Sequence, residues 1–163
     1  MNYRFEYAQK SEMSILLPKL YEILYSNMSL IAPTGNSYEK DFEIWYSNVY
    51  PAMMSSPREI VLMYDGSTII GYFQYYVNGG VFMMDEIQIK QEYQGAGVFS
   101  SFYSWLVQKL PAAIQSVEAF TSKQNQKSQG ILEHLGLDQV GENKSGSCYH
   151  YKGDYKKLHD KYI

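Results

Sequence analysis

Residues 81–111 read VFMMDEIQIK, then QEYQGAGVF, then SSFYSWLVQKLP: an extended segment, a glycine-punctuated loop and an amphipathic helix, in that order. A strand that delivers a Gly-x-Gly turn onto a helix N-terminus is a device for holding phosphate. Gly95 and Gly97 lack Cβ atoms, so successive backbone N–H groups are able to converge on an anion. The first N–H groups of the following helix have no intrahelical partner and carry the positive end of its dipole. Function is expected at this loop.

Two phosphate loops are excluded by spacing. A P-loop needs Lys followed by Ser or Thr after its second glycine, and Gly97 is followed by Val98 and Phe99. A dinucleotide fingerprint needs a third glycine where Ser100 stands, and its βαβ unit opens a domain, whereas this loop lies past the midpoint.

The run Ile87-Gln88-Ile89-Lys90-Gln91-Glu92-Tyr93-Gln94-Gly95-Ala96-Gly97-Val98 resembles motif A of the GCN5-related N-acetyltransferases (GNAT). There a strand of pattern L-x-V leads into x-P-x-y-[RQ]-G-x-G-[IV]. Ile87 and Ile89 match the strand, Tyr93 the aromatic, Gln94 the Arg/Gln position, and Gly95, Gly97 and Val98 the loop. Gln91 replaces a common Pro, Glu92 a preferred Gln or Arg, and Phe99 a small residue; none of these removes a backbone donor. Farther on, Asn125-Gln126-Lys127-Ser128-Gln129-Gly130-Ile131-Leu132-Glu133-His134-Leu135-Gly136-Leu137 resembles the family's second signature, N-x-x-[AS]-x-x-L-Y-E-K-x-G-F, in the right order. The resemblance covers roughly residues 58–153.

What the resemblance implies is an α/β (α+β) acyl-CoA N-acyltransferase fold. Its central sheet is mixed and mainly antiparallel, with about seven strands flanked by about four helices. It implies acetyl-CoA or coenzyme A as co-substrate, with no metal. The implied cofactor contacts are Ile87, Gln88, Ile89, Gln94, Gly95, Ala96, Gly97, Val98 and Phe99, with Asn125 and Ser128 from the second signature. It also implies transfer of an acetyl group to a primary amine of a small molecule or peptide; a CoA-binding sensor that has lost catalysis is the alternative.

Composition sets further bounds. A chain of 163 residues, 45% hydrophobic and 19% charged, is that of one globular domain, here residues 1–163. The net charge of −3 comes with interspersed signs and no basic stripe, which argues against a nucleic-acid partner and suits an amine substrate. The single Cys148 excludes an intramolecular disulfide and suits a reducing cytoplasm. The first residues hold no apolar signal core, and no run of about 18 apolar residues suggests a membrane span. His134, His150 and His159 lack metal-ligand spacing. Seventeen tyrosines are the compositional oddity. They read either as strand packing or as an aromatic acceptor pocket or homodimer surface.

Periodicity supplies the rest. Tyr3 to Ala8 reads as a strand. Leu16, Leu17, Leu20, Leu24 and Met28 mark one face of a helix capped by Ser11 or Ser14. Ser37 caps a second helix expected to end near Pro51. Residues 60–64, 68–77 and 81–90 form a meander around Asp65-Gly66 and Asn78-Gly79-Gly80. After Pro111 come a short strand, the second-signature helix and a closing hairpin around Ser145-Gly146, giving βααβββαβαββ. The tail, 154–163, reads as a frayed or docked end.

The chemistry needs a carboxylate to accept a proton from an ammonium of pKa about 10. Asp85 and Glu86 lie just before Ile87, where many family members carry a base. Strand alternation lets only one of them face the acceptor, and Glu86 is the preferred choice. The usual tyrosine acid of the second signature is absent, because Leu132 stands in its place; Tyr149 and Tyr151 are substitutes by topology alone. His134, at a usual Lys position, is expected to face solvent.

Overall fold

The computed structural model describes residues 2–163. Its elements are β1 (Tyr3–Tyr7), α1 (Met13–Met28), α2 (Tyr38–Ser55), β2 (Glu59–Asp65), β3 (Thr68–Asn78), β4 (Val81–Ile89), α3 (Val98–Leu106), β5 (Ser116–Ser122), α4 (Gln126–His134), β6 (Asp138–Glu142), β7 (Cys148–Asp154) and α5 (Tyr155–Tyr162). The seven strands form one sheet in the order β1-β2-β3-β4-β5-β7-β6. The β4–β5 pair is parallel, from Val81↔Ser116 to Met84↔Ala119, because α3 intervenes as a crossover. The β1–β2, β5–β7 and β6–β7 pairs are antiparallel. By packing, the chain divides into two units: the stretch up to Gln74 with Glu86–Val98, and Tyr75–Asp85 with Phe99–Ile163.

In the first unit α1 lays Met13, Leu16, Leu17, Leu20 and Ile23 onto Ile60, Leu62 and Tyr72 of β2 and β3. Its start differs from the expectation. Neither Ser11 nor Ser14 caps it; a 3₁₀ turn, Lys10–Glu12, leads in without a side-chain cap. Pro18 lies inside the helix, between the fully buried Leu17 and Leu20, whose packing holds the helix through one missing bond. Ser37 does cap α2, accepting from the Lys40 N–H at 3.2 Å. That helix continues past Pro51 to Ser55. The fully buried Met53 anchors the last turn, and the Lys10 ammonium donates to the carbonyls of Met53 (2.9 Å) and Ser56 (2.8 Å) at its C-terminal end.

The second unit is built on Phe82, Phe102, Tyr103, Leu106, Val117 and Tyr151, all nearly or fully buried. The tail is a helix, so there are five α-helices among the described residues rather than about four. Asp154 caps it through the Lys156 N–H (3.0 Å), Leu158 is fully buried, and the Tyr162 ring lies 5.4 Å from that of Tyr103.

The tyrosines fall into two groups. Tyr72, Tyr75, Tyr103, Tyr151 and Tyr155 are core residues. On α1 and α2, the buried Tyr21 and half-buried rings around it touch in series, with Tyr25–Tyr38 at 4.7 Å, Tyr21–Trp45 at 5.0 Å and Tyr46–Tyr50 stacked at 5.3 Å.

Candidate active site

The glycine loop is shaped by its backbone and fastened by its neighbours. Gly95 and Gly97 have φ of +80° and +83°, a region that L side chains avoid, and no atom lies within 4 Å of the place where either would carry a Cβ. Gly95, Ala96 and Gly97 are exposed, while Val98 is buried and pins the first turn of α3. Tyr93 donates to the Asp65 carboxylate at 2.6 Å, and Tyr3 donates to the Ala96 carbonyl at 3.1 Å. Gln94 donates its amide to the Ile89 carbonyl at 2.9 Å, which closes the loop back on β4. Glu92 is exposed. The Ala96 N–H is spent within the loop, donating to the Tyr93 carbonyl at 3.3 Å, so an anion here would be met by the N–H groups of Gly97 and of the first turn of the nine-residue helix that follows.

Upstream on β4, strand alternation separates the two acids. Asp85 is exposed, whereas Glu86 is half-buried and its Oε1 accepts from the Tyr72 hydroxyl at 2.6 Å. Burial pushes the Glu86 carboxyl above the usual carboxylate range, and hydrogen bonds from Tyr72 and Gln88 draw it part of the way back. Burial, together with the adjacent Glu86 charge, pushes the Tyr72 phenol well above its ordinary value. Ile87, Gln88 and Ile89 are half-buried. The Gln88 side chain is engaged within the protein, since Asn27 of α1 donates to its Oε1 at 2.9 Å and to the Ile89 carbonyl at 3.0 Å.

The remaining site residues belong to the second unit. Phe99 is half-buried, with its ring 4.6 Å from that of Tyr103. Asn125 is the N-cap of α4, its Oδ1 accepting from the Ser128 N–H at 3.0 Å. Leu132 is 7% exposed and forms part of the core. Of the substitute acids, Tyr151 is 1% exposed and held above its ordinary pKa by burial and by Glu133 and Tyr149. Tyr149 is half-buried, with the Lys123 ammonium 5.2 Å over its ring. His134 is exposed.

Solved structures match this chain along nearly its whole length. The PaiA N-acetyltransferase of Thermoplasma acidophilum, in complex with coenzyme A, is 14% identical with a TM-score of 0.69, over 95% of this chain and 100% of its own. A Desulfovibrio desulfuricans protein placed in the GNAT family is 14% identical with a TM-score of 0.69, over 94% and 99%. The aminoglycoside acetyltransferase AAC(6')-Ib, in complex with coenzyme A and kanamycin, is 14% identical with a TM-score of 0.67, over 98% of each chain. The fold is that of the GCN5-related N-acetyltransferases. No family model matches the chain, and no curated protein matches it in sequence, so the likeness is one of GNAT architecture.

Four residues at this loop and strand escaped the reading of the sequence: Tyr3, Asn27, Asp65 and Tyr72. Each acts across a wide sequence gap, from 14 residues (Tyr72–Glu86) to 93 (Tyr3–Ala96). Tyr72 had one legible signal, since it sits in an aromatic strand next in sequence to a strand that bears two acids.

Proposed function

We propose that the chain is a single acetyltransferase domain that moves an acetyl group from acetyl-CoA to a primary amine in one ternary complex. The observation that carries this reading is the exposed Gly95–Gly97 cradle a few residues after a carboxylate held inward on the same strand. The cradle binds the pyrophosphate of coenzyme A through backbone N–H groups. The Glu86 carboxylate takes the proton of the acceptor ammonium, directly or through water. The neutral nitrogen attacks the thioester carbonyl, its N–C bond forms, the C–S bond breaks, and the electron pair leaves on sulfur. Beyond Met84, β4 has left its ladder with β5, and the N–H groups there are suited to the developing oxyanion. With a thiol pKa of roughly 8–9 the thiolate departs without an acid, which fits a leucine at position 132.

An amine acceptor also fits the charge of the α1–α2 segment. Residues 11–57 hold Glu12, Glu22, Glu39, Asp41 and Glu43 against Lys19 and Lys40, a surplus of three acids. The fold match to acetyltransferases solved with coenzyme A supports the same reading.

Leu132 also motivates a second reading, a CoA-binding module without transfer. Release of free thiol from acetyl-CoA separates the two, measured with a panel of kanamycin, spermidine, a lysine-containing peptide and a peptide with a free α-amine. Amine-dependent release with an N-acetylated product by mass spectrometry supports the enzyme. CoA binding by calorimetry with no product from any amine favours the module.

A further inference from the structure

Glu86 does not stand alone on β4. Its carboxylate receives the Tyr72 hydroxyl at 2.6 Å from β3, and Gln88 lies two residues along the same face, where its amide draws the carboxyl's pKa down. Gln88 has one oxygen and one NH₂, so whatever claims the oxygen decides where the NH₂ points. Asn27, in the last turn of α1, claims it at 2.9 Å, and the same Nδ2 donates to the Ile89 carbonyl at 3.0 Å. With its oxygen held by Asn27, Gln88 has only its NH₂ left to offer Glu86, and Tyr72 donates to the carboxylate from the other strand.

This arrangement is held against a stability cost. The Asn27 Oδ1 is buried with no partner, an orphan of a kind that folded proteins rarely keep. A leucine at position 27 would remove this orphan but would take the donor away from the Gln88 oxygen. An amide there brings one useful property, two N–H donors aimed at β4. Tyr72 is only 1% exposed and lies in the α1–β2–β3 core, where phenylalanine would fill the same space without a buried hydroxyl. Of these two polar groups at apolar addresses, Tyr72 ends on the Glu86 carboxyl and Asn27 on its neighbour Gln88.

We infer that Tyr72, Gln88 and Asn27 are positioning residues for Glu86: Tyr72 donates to its carboxylate, Asn27 holds the Gln88 oxygen so that the Gln88 NH₂ is the group offered to the same carboxyl, and together they fix its rotamer. The inference rests on the reading of Glu86 as the base. The groups acting on the carboxyl are the Tyr72 phenol, fixed as a neutral donor, and the Gln88 amide; Asn27 acts through Gln88. Burial opposes ionisation and the two donors favour it, so loss of either donor moves the titration upward.

The test is a carbon-13 NMR titration of the Glu86 carboxyl in the intact protein, which needs no acceptor. Glu86→Gln identifies the resonance. The parent carboxyl is expected to titrate above the ordinary range. In Tyr72→Phe, which keeps the ring, the midpoint rises by on the order of one pH unit. In Asn27→Leu, where Gln88 is free to turn, it rises by less. With the fastest amine of the panel, the acid limb of kcat against pH moves in the same order, while CoA affinity stays at the parental value. If both variants titrate and turn over as the parent does, while Glu86→Gln is crippled, the positioning chain is refuted and the base reading stands. If Glu86→Gln transfers acetyl at the full rate, both are refuted.

Discussion

The two ends of the β4–α3 connection do opposite kinds of work. In the proposed reading the groups at Gly95–Gly97 that meet the ligand are backbone N–H donors, and the side chains of Tyr93, Gln94 and the distant Tyr3 fasten the loop. At Glu86 the proposed reactive group is a side chain, which accepts from Tyr72 of β3 beside the Asn27–Gln88 pair. The first end depends on φ angles, so it is fragile to a single Cβ and indifferent to most other changes. The second depends on the direction of each hydrogen bond, so it is fragile to isosteric changes that keep the shape. The two ends meet at one atom: the Ile89 carbonyl accepts from Gln94 of the loop and from Asn27 of the chain. A shift of β4 at Ile89 therefore reaches both.

The largest expected effect breaks one end only. Glu86→Gln keeps the volume and a partner for Tyr72 but abolishes the base, so kcat falls on the order of 10²–10⁴ with CoA affinity unchanged. Its stability should move the other way. The folded-state pKa of Glu86 is raised, so its contribution favours folding below the ordinary carboxylate range and is lost as pH rises through the raised value. Near neutral pH the buried charge is destabilising. Glu86→Gln should accordingly melt above the parent at neutral pH, with the gain fading on acidification. A lower Tm at neutral pH would show that the carboxylate is a structural anchor.

Gly97→Val breaks the other end. A β-branched residue at φ +83° is strained by about 1–3 kcal/mol, and relief means turning the N–H groups away from the anion. CoA affinity should drop on the order of 10²-fold by calorimetry, with the Glu86 titration and the circular dichroism unchanged. Parental affinity in a folded Gly97→Val protein would remove the loop from the site.

Gly71→Ala probes the shared atom. A Cβ on Gly71 of β3 would lie 2.6 Å from the Gln88 carbonyl and 3.3 Å from the Ile89 Cα, both backbone, so β4 must yield. Overpacking of this sort costs about 1–3 kcal/mol. Because the displaced segment lies between the two ends, kcat and CoA affinity should both suffer a several-fold loss. A change in one without the other would show that the ends are independent.

How much of this could be read from the chain follows the same division. The loop was legible because its chemistry is written in consecutive residues: two glycines at fixed spacing, an Ile-x-Ile strand before and an apolar helix after. The caps at Ser37 and Asn125 were legible for the same reason, since each is a local bond over three residues. The carboxylate was visible as a candidate, but its surroundings were not, because Tyr72, Gln88 and Asn27 meet only once strands pair and α1 docks. Pro51 misled because the local rule against proline in helices was overridden by tertiary contacts, the burial of Met53 and the reach of Lys10 to the helix end. The tail became a helix because Tyr155 and Leu158 have a core to bury in, which charge alternation alone does not reveal.

The smallest expected effect concerns Leu132, outside both ends, where a tyrosine acid would be expected from the family pattern. If transfer needed that acid, the natural protein would be crippled and Leu132→Tyr would rescue it. The structure argues otherwise. Leu132 is 7% exposed within the apolar side of α4 that also carries Leu135, so a phenol there must overpack the core or swing its helix outward. The gain on offer is small, because a thiolate of pKa roughly 8–9 leaves without help near neutral pH. Measured with one amine for both proteins, kcat should change by less than about tenfold, equivalent to roughly 1.4 kcal/mol on the barrier, and Tm should fall. A rise beyond tenfold would mean that the natural chain lacks a group its chemistry needs. In that event the Glu86 chain would be the relic of a catalyst in a protein that now binds coenzyme A without spending its acetyl group.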